Sequence, residues 1–177
     1  MKKLVTVFAA LLALGSAFAD GEIIAKNMLG TKARFSNWGN HKKAQFSPDG
    51  GPDGKSFVTI SADDPKNAFQ ITRFLHSDVS RLKGRKVVLF GKVKAENVAK
   101  APQPWFGIKF LIAYQVEGKK GHTFKEGKFP RSGSFDWKEF ETAVQLPEDL
   151  SMFCINIGLQ KTTGTIHVSD VELRFDD

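Results

Sequence analysis

Cysteine is almost missing from this chain: among 177 residues Cys154 stands alone. A single thiol closes no internal disulfide, so the fold has to be held by a hydrophobic core. With no base paired to it in the sequence, Cys154 reads as a small, inert, sheet-packed thiol rather than a nucleophile. Helical periodicity is lacking beyond the first residues, and so are internal repeats and low-complexity tails, which sets helical bundles and solenoids aside. His41, His76, His122 and His167 are scattered and show no zinc spacing. There is no Gly-x-Ser-x-Gly elbow and no glycine-rich phosphate loop. Of the paired acids, Asp63-Asp64 and Glu148-Asp149 fall in turns. Glu139 and Glu141 share one strand face, so they do not confront each other across a bond as glycosidase carboxylates must. The chain is not expected to be an enzyme.

Long apolar runs are also missing, with one exception. Lys2 and Lys3 precede an apolar stretch over residues 4–14, and Ala17-Phe18-Ala19 supplies small residues at the two positions read by a signal peptidase. This is the pattern of a secretory signal peptide over residues 1–19, too short to span a bilayer. One domain over residues 20–177 is expected, secreted or periplasmic, with no membrane span and as a monomer. Removing Lys2 and Lys3 leaves 24 basic against 19 acidic residues, a net charge near +5. Such a surplus suits anionic partners such as acidic glycans. The export signal and the scatter of the lysines argue against nucleic acid.

What the chain does have is alternation. Strands are expected over residues 22–26, 55–61, 68–76, 86–96, 105–116, 137–146 and 152–160, with a further short one near 122–125 and a closing strand that ends at Phe175. Residues 27–53 hold two turn clusters and read as a long loop whose Phe35, Trp38 and Phe46 pack onto the domain. In 105–116 the apolar set is Phe106, Ile108, Phe110, Ile112, Tyr114 and Val116; in 152–160 it is Phe153, Ile155, Ile157 and Leu159. Side chains alternate across a strand, so each segment offers one core face and one free face. Trp137 opens its strand at a corner and is assigned to the core. Eight or so short strands split by Gly and Pro turns indicate an all-β antiparallel sandwich, a jelly roll.

Four pieces carry a family resemblance: LKGRKVVLFGKVKAENV, PWFGIKFLIAYQ, GSFDWKEFETAVQLPED and GLQKTTGTIHVSDVELRF. Together they resemble the galactose-binding-like jelly-roll carbohydrate-binding modules appended to cellulases and xylanases, over roughly residues 55–175. The resemblance implies a structural calcium near the junction of the first and last strands, with Asp170 as a ligand. The family's second acidic ligand follows the first strand, where this chain has Asn27-Met28-Leu29-Gly30 and no carboxylate.

Sugars present hydroxyl edges and apolar C–H faces, so a glycan site combines flat aromatic rings with planar hydrogen-bonding groups. The free faces offer that mixture: Trp105, Lys109 and Gln115 on one strand, Asn156 and Gln160 on another, and Phe90 with Lys92 on a third. If those strands are neighbours in one sheet, the seven residues line one surface. Lys92 and Lys109 are either a solvated face or contacts for a carboxylate- or sulfate-bearing glycan. The expected function is non-catalytic binding of a polysaccharide or oligosaccharide. The alternative is a structural or protein-interaction sandwich of the periplasm or cell surface, using the basic loop 119–131.

Overall fold

The computed structural model describes residues 22–176, so the signal-peptide assignment lies outside the described residues. Ten strands form: β1 (Ile23–Ala25), β2 (Gln45–Ser47), β3 (Phe57–Ala62), β4 (Gln70–Phe74), β5 (Lys86–Val98), β6 (Gly107–Val116), β7 (Thr123–Glu126), β8 (Gly133–Gln145), β9 (Leu150–Gln160) and β10 (Gly164–Phe175). Two single-turn helices, α1 (Lys32–Phe35) and α2 (Val79–Leu82), and three 3-10 turns fill the connections. The strands pair antiparallel into two sheets. One runs β2-β3-β10-β5-β8, with β1 also on β10; the other runs β4-β9-β6-β7. The expected all-β jelly-roll sandwich is the fold observed.

The core lies where the alternating apolar sets of the two sheets meet. Val58, Ile60, Val87, Leu89, Val93, Ile166 and Val168 face inward from the six-stranded sheet, and Ile108, Phe110, Ile112, Phe153, Ile155, Ile157 and Leu159 from the other; all are fully buried. Burying one such side chain stabilises the fold by about 1.5–3 kcal/mol before chain entropy is counted. A β-bulge interrupts β10 between Ser169 and Glu172, where Asp170 adopts φ 52°. The extra residue shifts the alternation by one, so that odd-numbered Val171 and Leu173 point inward where even-numbered Ile166 and Val168 do before it.

Residues 27–53 pack as expected, although they hold α1, two 3-10 turns and the short β2 rather than loop alone. Trp38 is 1% exposed, and its indole N–H donates to the Met28 carbonyl at 3.3 Å. Phe35 stacks on Phe46 with centroids 6.0 Å apart. Trp137 departs from expectation. Phe140, Thr142 and Val144 take the inward positions of β8, so the odd-numbered Trp137 falls on the outer face. There it is half-buried against Phe57 and His167, at 6.1 and 6.4 Å.

Phe140 is the aromatic hub between the sheets, stacked on Phe129 at 4.4 Å and edge-on to Phe110 at 5.9 Å. Phe140→Ala leaves a cavity that these rings only partly close, and is expected to cost about 3–5 kcal/mol. A urea titration should show a lower midpoint with an unchanged slope.

Candidate functional site

The outer face of the four-stranded sheet is built from single rungs that cross all four strands. One aligns Phe74 of β4, Cys154 of β9, Ala113 of β6 and Phe124 of β7. The next aligns Thr72, Asn156, Leu111 and Glu126. Phe74 and Phe124 stand on the two edge strands, three strand spacings or about 14 Å apart. They are 44% and 61% exposed, among the few large apolar side chains left in water. Each has a histidine beside it: His76 stacks on Phe74 at 5.2 Å, and His122 lies 6.1 Å from Phe124. Between the walls Cys154 and Ala113 form a low, buried floor with Leu111.

A cavity of about 560 Å³ opens on this face, lined by Asn40, Gln70, Thr72, Phe124, Asn156 and Gln160 among others. Beside it Gly158 has no room for a side chain, because a Cβ there would lie 2.3 Å from the Phe69 carbonyl oxygen just before β4. The Thr72 hydroxyl donates to the Asn156 carbonyl oxygen at 2.6 Å, which turns the amide N–H₂ towards the Cys154 sulfur at 3.7 Å. Burial raises the Cys154 thiol above its ordinary range, and the Asn156 contact offsets this only in part. This disfavours the thiolate form on which thiol reactivity depends. This face can offer aromatic surfaces, amides and a hydroxyl.

Of the seven residues expected to share one surface, four stand on strands of this sheet, Lys109, Gln115, Asn156 and Gln160. Asn156 and Gln160 line the cavity, and Gln115 lies one rung beyond the phenylalanines, opposite Met152. Trp105 sits in the turn before β6, not in the strand, and its ring is 57% exposed. Lys109 has a different role from the one expected. Its ammonium is buried, bonded to Glu126 at 2.8 Å and to the Trp105 carbonyl. Glu126 also holds Arg131 at 2.6 Å, so this triad ties β7 and the Trp105 turn onto β6 instead of meeting a ligand.

Phe90 and Lys92 lie on the other side of the molecule. β5 belongs to the six-stranded sheet, and its outer face looks away from Asn156 and Gln160. They line a separate cleft of about 550 Å³ with Glu139, Glu141, Glu172 and Arg174. Phe74, Phe124 and Thr72 were missed in the sequence. The signal for Phe74 was available, because it is an aromatic on the polar parity of QITRF. Phe124 was hidden inside a basic turn-rich segment.

No protein-family model matches the chain, and no curated protein matches it. Solved structures do. The CBM22-1 xylan-binding domain of Paenibacillus barcinonensis Xyn10C superposes with a TM-score of 0.61 at 13% identity, over 89% of this chain and 96% of that one. The CBM22-1–GH10 modules of Clostridium thermocellum Xyn10B, complexed with xylohexaose, give 0.61 at 12% identity; the match covers 90% of this chain and 29% of that longer one. A family 16 carbohydrate-binding module gives 0.51 at 10% identity, over 77% and 89% of the two chains. At these identities the likeness is one of fold: the chain has the jelly-roll β-sandwich of carbohydrate-binding modules.

The calcium implied by that fold does not fit the residues around Asp170. One oxygen of its carboxylate is held by two ammonium groups, Lys55 at 3.1 Å and Lys92 at 3.5 Å. Hydrogen bonding to Asp53 at 3.3 Å, with the nearby charge of Asp170, raises the Lys92 ammonium above its ordinary range despite some desolvation. Among the described residues no group of three or more His, Cys, Asp or Glu side chains is placed to hold a metal ion. Calcium would have to displace two cations to reach one carboxylate. The thermal midpoint is accordingly expected to stay unchanged on adding EDTA or millimolar calcium. Asp170→Asn should lower stability by about 1 kcal/mol or less, since Lys55 is half exposed. A rise of several degrees with calcium would overturn this account.

Proposed function

We propose that the chain is an exported, non-catalytic carbohydrate-binding protein that seats a polysaccharide strand on the outer face of the four-stranded sheet. The observation that carries the reading is the rung Phe74–Cys154–Ala113–Phe124. Two exposed rings with small residues between them make a trough that a pyranose chain enters, with its C–H faces against the rings. Thr72, Asn156, Gln70 and Gln160 then meet the hydroxyl edges from one side. Trp105 lies farther along, beyond Lys109, and serves as a third platform. The fold shared with a xylan-binding domain supports this reading, as does the export signal.

The chemistry of the face favours binding over turnover. Its one outward carboxylate on these four strands, Glu126, is fixed between Lys109 and Arg131, and neither a general acid nor a nucleophile stands opposite it. Affinity per site should be modest, because an open polar trough displaces ordered water for each contact made.

Isothermal titration or affinity electrophoresis with xylan, mixed-linkage glucan and uronate-bearing polysaccharides tests the proposal. Phe74→Ala and Phe124→Ala should each weaken binding about 3–10-fold, the range of one aromatic contact. Asn156→Ala should act similarly and Trp105→Ala less, with thermal midpoints little changed for the exposed aromatics. Undiminished binding by the Phe74→Ala/Phe124→Ala double variant would remove the site from this face.

A further inference from the structure

Charge is distributed unevenly over the two outer faces. The cleft on the six-stranded sheet has four carboxylates in its lining, Glu139, Glu141, Asp170 and Glu172. The cavity on the four-stranded sheet has none; its only ionisable lining residues are Lys66 and Lys161. Lys66 lies in the turn between β3 and β4, and Lys161 in the β9–β10 hairpin. Both are exposed, and among the described residues neither ammonium has an ion-pair partner. A third, Lys43, rides over the ring of Phe69, which itself lines the cavity, at 5.9 Å from the centroid.

Of the nearby carboxylates, Asp63 and Asp64 lie exposed in the turn that carries Lys66, outside the cavity lining. Asp64 accepts the Lys66 backbone N–H at 2.7 Å and so closes its own turn. Glu126 is shared between Lys109 and Arg131. Neutral sugars are usually gripped through hydroxyl protons, which need acceptors, and a carboxylate is the strongest acceptor available. This cavity offers amide and hydroxyl oxygens for that purpose, and its lining adds two ammonium groups and no carboxylate, with Lys43 close by over Phe69. Ammonium groups can only donate, and their strongest partners are anionic oxygens.

We infer that the site takes an anionic glycan, a chain bearing uronate carboxylates or sulfate esters, with the anionic group held between Lys66 and Lys161 and the sugar ring against Phe124. The inference rests on the carbohydrate reading of this face and adds the chemical class of the ligand. Lysines at this exposure contribute modestly and through screened electrostatics. They therefore set selectivity between charged and neutral chains, while Phe74, Phe124 and Asn156 set affinity for both.

The test compares oligogalacturonate, a sulfated oligosaccharide and neutral xylohexaose by titration calorimetry, using the full exported domain at low and high salt. At low salt at least one anionic chain should bind about 5-fold or more tighter than xylohexaose, and the gap should close as salt rises. Lys66→Gln/Lys161→Gln should lower affinity for the anionic chain about 3–10-fold and leave xylohexaose untouched. Phe124→Ala should weaken both. Equal affinity for charged and neutral chains, or a lysine double variant without effect, overturns the anionic assignment and leaves the carbohydrate reading standing. Absence of binding to all three chains, with a normal melting curve, overturns the carbohydrate reading itself.

Discussion

The outer face of the four-stranded sheet depends on the two-residue alternation of β6 and β9. These strands bury Ile108, Phe110, Ile112, Phe153, Ile155, Ile157 and Leu159 against the six-stranded sheet, and that burial leaves no freedom in register. A slip of one residue would turn the whole apolar set into water and draw Asn156, Gly158 and Lys109 into the core. The rung that joins Phe74 to Phe124 is thus a by-product of core packing. Once β9 is fixed against β6, β4 and β7 pair on either side, and the edge aromatics come into line.

The ionic groups show how a residue that looks suited to ligand contact can be taken up by structure. Lys109 sits on the correct face, yet Glu126 and the Trp105 carbonyl enclose it. Removing either charge of a buried pair leaves the other uncompensated, so such residues are poorly placed to exchange partners with a ligand. Lys92 is in a similar position, held by Asp53 and Asp170. Two lysines stand at Asp170 where related folds lead one to expect a divalent ion. Their positive charges link the loop before β3, the middle of β5 and the bulge of β10. Ion pairs tie the strands together at that corner.

Much of the fold was legible because the signals were local. The parities of β5, β6, β8 and β9, the turns that separate them and the packing of Trp38 all follow from patterns within about ten residues. What was not legible depends on pairing between distant segments. Phe90 and Lys92 have the same free-face parity as Asn156, but parity does not say which of two sheets a strand joins. The partners of Asp170 lie 115 positions away at Lys55 and on a strand of the same sheet at Lys92. Trp137 was different, since counting back from Phe140 would have placed it outside. Its size favoured a core assignment that its position did not.

Two features of the four-stranded face reinforce each other. The centre of the trough is small, with Cys154, Ala113 and Gly158, while the edges carry the rings. Larger central side chains would fill the space between the walls, and a Cβ at Gly158 would collide with the backbone of β4. The same economy governs charge. Glu126 is paired within the sheet, and Lys66 and Lys161 are the ionisable residues in the cavity lining. In the opposite cleft, four cations and four carboxylates share the lining, and the field of each cation is cancelled close by. A surplus of +7 spread over the whole chain says little about where an anion would settle. The surplus counts only where acids are missing, and that is the surface between Phe124 and Lys161.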